Sequence, residues 1–166
     1  ARMARSLNSM LMGFSRVETF VTAFIAKIDL KAGRATYCSA GHPPTMVIRP
    51  SSTPLGGTEA RGGEVELLGC QSGVIGAFES MAYETGAFTF APGDMLFMYT
   101  DGTIEARDRS GAFFGERRLR DLLLSVSGEG VSGICGKVLG ELDRFTESAL
   151  ADDIALVSLE FLRGRS

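Results

Sequence analysis

The sequence predicts a mixed α/β fold in which two largely antiparallel sheets carry paired helices on their outer sides. Short apolar runs of strand length, separated by turn residues, recur along most of the chain. Apolar residues at helical spacing occur at its beginning and in its last third. The clearest strand is Met95–Tyr99, an unbroken apolar run that is typical of a strand buried on both faces. The clearest helix covers residues 131–145, where apolar side chains are spaced four, four and three residues apart, at Ile134, Val138, Leu142 and Phe145.

Local composition predicts the remaining elements. β-Branched and aromatic runs indicate strands, and apolar residues three or four positions apart indicate helices. Further strands are predicted over residues 19–30, 35–39, 45–49, 64–68, 83–90 and 154–161. Further helices are predicted over residues 1–13 and from Phe114 to the break at residues 127–130. Residues 50–63, with four glycines and two prolines, predict a surface loop, and residues 105–112 predict a polar turn.

Length and composition fit one globular domain. The chain has 166 residues, of which 45% are hydrophobic and 22% are charged, and its formal net charge is −3. This charge gives no electrostatic reason to expect nucleic acid or an anionic membrane as a partner. Cys38, Cys70 and Cys135 form no zinc motif or disulfide framework, and no apolar run approaches the ~18 residues of a membrane span. We therefore predict a single domain over residues 1–166 in a reducing cytoplasm.

Carboxylates stand where two of the predicted strands end or begin. Asp101 follows the buried run, and Gly102 beside it allows the backbone to turn tightly or to approach a ligand. Asp152 and Asp153 lead directly into the last strand, whose apolar run we also expect to be buried. If the two strands lie side by side, their carboxylates converge, and converging carboxylates repel one another unless a cation lies between them. An ordinary Asp-Gly turn that closes a strand is the open alternative at this point.

Four motifs occur in an order that resembles a known family. They are AGHPP at residues 40–44, PGDMLFMYTDGTIEAR at 92–107, FGERRL at 114–119 and DDIALV at 152–157. Together they resemble the C-terminal two-thirds of the bacterial SpoIIE/RsbU-type phosphatase domain, which belongs to the metal-dependent protein phosphatases (PPM) related to protein phosphatase 2C. The resemblance covers nearly the whole chain. It implies a four-layer α-β-β-α sandwich whose N-terminal part lies outside residues 1–166.

The resemblance also implies a site and its chemistry. Asp101 and Asp152 match metal-binding aspartates of the family, Gly102 and Asp153 are metal-adjacent, and no catalytic residue beyond the metal ligands is implied. The implied reaction is hydrolysis of phosphoserine or phosphothreonine on a protein, with two Mn²⁺ or Mg²⁺ ions as cofactors. The family's other ligands lie upstream of the first helix, and the first 20 residues here contain no Asp. We therefore expect residues 1–166 alone to be weakly active or inactive.

A regulatory role follows from the same resemblance. Members of the family typically dephosphorylate a small anti-sigma-factor antagonist and are commonly fused to an upstream sensor or receiver domain. We expect this kind of phosphorylated protein as a partner, and neither nucleic acid nor membrane contact by this domain. The alternative is a catalytically silent interaction module that keeps the phosphatase fold.

Two other hydrolase classes fit the sequence less well. Residues 99–103, YTDGT, resemble the Asp-x-Asp-Gly-Thr motif of haloacid-dehalogenase-type phosphatases, but Tyr99 stands where that class has its nucleophile. His42 is the only histidine, and no nucleophile elbow accompanies it to support a Ser-His-Asp triad. We expect His42 to have a structural role in the turn between Gly41 and Pro43.

Overall fold

The structure of the chain is a computed structural model. The structure describes residues 1–14, 20–50, 63–69, 72–150 and 152–162. Most of the predicted loop at residues 50–63 lies outside these ranges, as does Cys70. The described strands are β1 (Ala23–Asp29), β2 (Arg34–Ala40), β3 (Thr45–Arg49), β4 (Glu64–Leu68), β5 (Gly86–Thr89), β6 (Met95–Tyr99) and β7 (Leu156–Glu160). The described helices are α1 (Arg2–Phe14), α2 (Gly102–Glu105), α3 (Gly115–Val126) and α4 (Val131–Thr146), with a 3₁₀ turn at Ser127–Glu129.

The chain divides into two compact units, each with many contacts among its own residues. The first unit combines Ala1–Thr45 with Leu68–Ala91, and the second combines Met46–Leu67 with Pro92–Ser166. The single domain over residues 1–166 stays a prediction. No helix in the described ranges is both long and apolar enough to cross a membrane.

The first unit contains a three-stranded antiparallel sheet in the order β1-β2-β5. Helix α1 packs on this sheet through the completely buried Ala4. The residues that join Ala4 in this core are Cys38, Ala40, Ile75 and Tyr83. The helix predicted over residues 1–13 is therefore present. The prediction that its apolar stripe of Met3, Leu7 and Met10 faces the core is wrong, because these side chains are exposed and the buried side carries Ala4 and Asn8.

A buried asparagine fastens α1 to the segment before β5. The Asn8 side chain is only 3% exposed and makes three hydrogen bonds. Its amide donates to the carbonyl oxygen of Phe78 at 3.0 Å. Its carbonyl oxygen accepts from the Gly76 N–H at 2.7 Å and from the Tyr83 hydroxyl at 3.0 Å. All the polar atoms of this side chain are therefore committed to residues that lie about 70 positions away in sequence.

Replacing Asn8 by alanine is expected to lower the free energy of unfolding by about 2 to 4 kcal/mol, because buried polar groups of Gly76 and Phe78 lose their partner. Urea denaturation of the wild type and the variant measures this difference. Ser9→Ala, at an exposed position of the same helix, is the control and should stay within ~0.5 kcal/mol of wild type. A loss below ~0.5 kcal/mol for Asn8→Ala would show that this network does not hold the helix.

The second unit contains a four-stranded sheet in the order β4-β3-β6-β7. Strand β6 pairs antiparallel with both β3 and β7, and it is buried on both faces, as its apolar run predicted. Helices α3 and α4 cover one face of this sheet. The side chains that form the shared core include Met46, Ile48, Met95, Phe97 and Tyr99 from the strands and Leu119, Leu123, Ile134, Val138 and Leu142 from the helices.

Two elements differ from their predictions. The last strand begins at Leu156, two residues later than predicted, and it is an edge strand with the alternate residues Val157 and Leu159 exposed. The prediction that a second buried strand follows Asp152 is therefore wrong, because β7 pairs only with β6 among the strands that the structure describes. Helix α2 forms one turn directly after Asp101, where no helix was predicted, and the Asp101 backbone carbonyl accepts from the N–H groups of Ile104 at 3.0 Å and Glu105 at 2.9 Å.

Candidate functional site

The two aspartate-bearing segments are joined side by side in the second unit. Strand β6 ends at Tyr99, which faces Leu156 of β7. Beyond this pair, the Thr100 N–H donates to the Ala155 carbonyl oxygen at 3.1 Å. The Thr100 hydroxyl donates to the Asp153 carbonyl oxygen at 3.2 Å and accepts from the Ala155 N–H at 2.9 Å. One threonine side chain therefore fixes the register of the residues that lead from Asp152 into β7.

Gly102 brings the two segments to their closest approach. A Cβ atom at this position would lie 2.8 Å from the Asp153 carbonyl oxygen and 3.3 Å from the Cβ atom of Asp152. The carboxyl carbon of Asp152 would be 3.5 Å from it. A contact below 3 Å with backbone is not sterically possible, so this approach requires glycine. The Asp152 carboxyl group thus lies against the residue that directly follows Asp101, as expected if the two strands are neighbours.

The two carboxylates are exposed and only partly engaged. One oxygen of Asp101 accepts from the Gly102 N–H at 3.0 Å, and one oxygen of Asp152 accepts from the Asp153 N–H at 2.8 Å. Among the described residues, no lysine or arginine forms an ion pair with either carboxylate. Each side chain therefore has oxygen lone pairs that are available to a hard cation, and carboxylate oxygens are the donors that Mg²⁺ and Mn²⁺ prefer.

The donor set fits a divalent cation in chemical type but is incomplete in number. Within the described ranges, no group of three or more His, Cys, Asp or Glu side chains converges closely enough to hold a metal ion. Hard cations take about six oxygen ligands, some of which are waters. The assignment of Asp101 and Asp152 as metal ligands, with Gly102 and Asp153 beside them, stays a prediction.

His42 and Tyr99 occupy settings that fit the rival hydrolase classes poorly. The Nδ1 atom of His42 lies 2.7 Å from the Pro43 carbonyl oxygen, and its backbone carbonyl accepts from the Ser39 hydroxyl at 3.4 Å. These are the contacts of a turn residue, and the lack of a catalytic role stays a prediction. Tyr99 is 1% exposed, and burial, followed by repulsion from Glu116, raises its pKa to about 12. It therefore remains a neutral phenol at physiological pH and cannot replace the missing aspartate nucleophile.

Solved structures define the class to which this fold belongs. The structure is similar to the SiaA-PP2C domain of Pseudomonas aeruginosa, with a TM-score of 0.72 and 19% identity over 95% of this chain and 57% of that chain. It is also similar to the phosphatase domain of the cell fate determinant SpoIIE from Bacillus subtilis in a manganese-presoaked form. That match has a TM-score of 0.71 and 16% identity and covers 98% of this chain and 67% of the other. The fold is therefore that of PP2C-type phosphatase domains, and the predicted α/β class with antiparallel sheets is confirmed.

Sequence comparison places the chain within this class. Residues 1–162 match the family described as Stage II sporulation protein E (SpoIIE), and the chain belongs to that family. Protein IcfG of Synechocystis sp. is 27% identical over 143 residues, which are 84% of this chain and 20% of that protein. Phosphoserine phosphatase RsbP of Bacillus subtilis is 28% identical over 101 residues, which are 61% of this chain and 22% of that protein. The chain thus spans about a fifth of the length of each of these relatives.

Proposed function

We propose that this chain is one SpoIIE-type phosphatase domain and contributes to the hydrolysis of phosphoserine on a protein. The observation that carries the proposal is the close approach of the segment 152–153 to Gly102, directly beside Asp101, where a Cβ atom would lie within 3.5 Å of the Asp152 carboxyl carbon. It supports the pairing of two carboxylates that match metal-binding positions of the family. The similarity to RsbP, which is named a phosphoserine phosphatase, supports hydrolysis of phosphoserine as the reaction.

Asp101 and Asp152 are the residues that would hold divalent metal. Two bound Mn²⁺ or Mg²⁺ ions would supply an activated water and would neutralise the phosphoryl oxygens. Gly102 allows the segment 152–153 to approach the residue beside Asp101, and the Thr100 hydroxyl orients the backbone between Asp152 and β7. The manganese-presoaked form of the Bacillus subtilis SpoIIE domain supports the choice of metal. With two carboxylates available, we expect residues 1–166 alone to bind metal weakly, and we propose that upstream residues of the complete protein complete the site.

The proposed substrate is a phosphorylated anti-sigma-factor antagonist in the cytoplasm, and the proposed regulator is an upstream sensor or receiver domain. The membership in the SpoIIE family supports this kind of signalling. A catalytically silent module is the second candidate. The observation in its favour is that fewer than three ligand-type side chains converge within the described ranges.

Phosphate release separates the two candidates. The complete protein is mixed with a protein that carries phosphoserine, in the presence of Mn²⁺ or of EDTA, and inorganic phosphate is measured over time. The phosphatase proposal expects turnover that requires the metal. A silent module would bind the phosphoprotein and release no phosphate under either condition, and that result would end the catalytic proposal.

Thr100→Val is expected to weaken Mn²⁺ binding by the complete protein about 10-fold, because groups that orient metal ligands typically contribute 10- to 100-fold to affinity. Valine keeps the shape of threonine and removes both hydroxyl hydrogen bonds to residues 153 and 155. Thr100→Ser keeps the hydroxyl and should restore affinity to within ~3-fold of wild type. Isothermal titration with Mn²⁺ measures all three proteins, and equal affinity of the valine and serine variants would contradict a positioning role.

A further inference from the structure

A small cavity lies directly beside the candidate metal site. Its volume is about 210 Å³, and Gly102 and Asp152 form part of its wall. The lining also includes the apolar side chains of Ala106, Phe113 and Leu150. Pockets that take drug-sized ligands start at about 300 Å³, so this cavity suits a single side chain better than a nucleotide or a whole small molecule.

The wall that carries Phe113 is held rigidly although it is exposed. Arg107 and Phe113 form an antiparallel bridge, and the Phe114 N–H donates to the Ala106 carbonyl oxygen at 2.7 Å. Between them, the Asp108 carboxylate accepts from the N–H groups of Ser110 and Ala112, both at 2.9 Å, and from the Ser110 hydroxyl at 2.6 Å.

These hydrogen bonds, that of the Ser110 hydroxyl first, lower the pKa of Asp108. The Asp108 carboxylate therefore stabilises the loop at every pH at which it is ionised. This stabilisation is lost only as the pH falls through the lowered pKa. In an activity assay near neutral pH, the loop consequently keeps the hydrogen bonds to Asp108.

Phe113 supplies the largest apolar side chain of the cavity wall. The Phe113 side chain is 47% exposed, and the Arg107 guanidinium stacks 3.9 Å above its ring. Arg107 also donates to the Gly111 carbonyl oxygen at 3.1 Å, so the guanidinium that stacks on the ring is itself held in place. Glu105 and Arg107 also line the cavity and carry opposite charges, while the Asp152 carboxylate is assigned to the metal in the proposed function. The rest of the lining is largely apolar and favours an apolar side chain.

We propose that this cavity is a specificity subsite for an apolar side chain of the phosphoprotein, one or two residues from its phosphoserine. This inference rests on the proposed function, because it places the phosphoserine at Asp101 and Asp152. Because Asp152 forms part of the cavity wall, the apolar side chain must lie close to the phosphoserine in the peptide. Side chains two residues apart in an extended peptide lie about 7 Å apart on one face. Burial of such a side chain against Phe113 and Leu150 supplies the selectivity.

The test compares synthetic phosphoserine peptides that differ only in their flanking residues. One peptide carries leucine at the two positions on either side of phosphoserine, and the other carries glycine. The kcat/KM of the complete protein with Mn²⁺ should favour the leucine peptide about 10-fold, the discrimination expected of an apolar pocket. Phe113→Ala should reduce this ratio to below ~3-fold. Phe78→Ala, at another exposed phenylalanine in the first unit, should leave the ratio unchanged.

Binding of fluorescein-labelled versions of both peptides, followed by anisotropy, separates this inference from the proposed function. If no phosphate is released but the leucine peptide binds more tightly in a Phe113-dependent way, the subsite stands and the catalytic proposal fails. If the wild type treats both peptides alike in turnover and binding, the subsite is refuted. An equal loss for both peptides on Phe113→Ala also refutes it, because the residue would then support the site in general.

Discussion

Replacing Asp101 or Asp152 by asparagine is expected to lower Mn²⁺-dependent phosphate release by the complete protein at least ~100-fold. Asparagine keeps the size of the side chain but removes the charge that would hold a divalent cation. Loss of a direct ligand should cost at least as much as loss of its supporting groups, for which 10- to 100-fold is typical. Initial rates of phosphate release from a phosphoserine protein, at several Mn²⁺ concentrations, measure the effect.

Asp121→Asn provides the matched control for these substitutions. Asp121 is an exposed carboxylate on α3, so the same chemical change is made outside the candidate site. Its rate should remain within ~2-fold of wild type, as is usual for exposed positions away from functional groups. If Asp101→Asn or Asp152→Asn behaved like this control, the candidate site would be misassigned.

The second large effect is expected from Gly102→Ala, which should also reduce kcat/KM at least ~100-fold. The added Cβ would lie 2.8 Å from the Asp153 carbonyl oxygen, so the segment that carries Asp152 must move away from Asp101. A displacement of about 1 Å in a catalytic site can cost 100-fold in rate. Retention of wild-type kcat/KM by this variant would show that the close approach has no bearing on activity.

Gly136→Ala is the control for this steric argument. Gly136 is exposed in the interior of α4, and a Cβ atom there would meet no atom within 4 Å. This variant should keep full activity and gain up to about 1 kcal/mol in stability, because alanine has the higher helix propensity. Urea denaturation of both variants shows whether Gly102→Ala acts through the site or through unfolding.

Elements with a strong apolar pattern could be predicted well from the sequence. The uninterrupted run Met95–Tyr99 predicted a strand buried on both faces because apolar residues on both sides require cover on both sides. The spacing in α4 predicted its buried stripe, and Ile134, Val138 and Leu142 are completely buried. The apolar content of residues 154–161 did not reveal that β7 is the outermost of the described strands of its sheet, because such a position depends on the order of the strands.

The candidate site was only partly visible in the sequence. Asp101 and Asp152 could be paired because each lies next to a predicted strand, and Gly102 was marked as a point of close approach. Thr100 was missed, since its hydroxyl bonds reach residues 153 and 155, more than 50 positions away. The cavity beside Asp152 was missed for the same reason, because Phe113 and Leu150 meet only in the folded chain.

Binding of Mn²⁺ to a double-mutant series tests most directly whether Asp101 and Asp152 act on one metal centre. The loss of the free Mn²⁺ signal in electron paramagnetic resonance gives the dissociation constant for the complete protein, for Asp101→Asn, for Asp152→Asn and for the double variant. Residues that act as a unit are strongly non-additive, so each single variant should lose nearly as much affinity as the double variant. Additive losses, or wild-type affinity in either single variant, would contradict a shared centre.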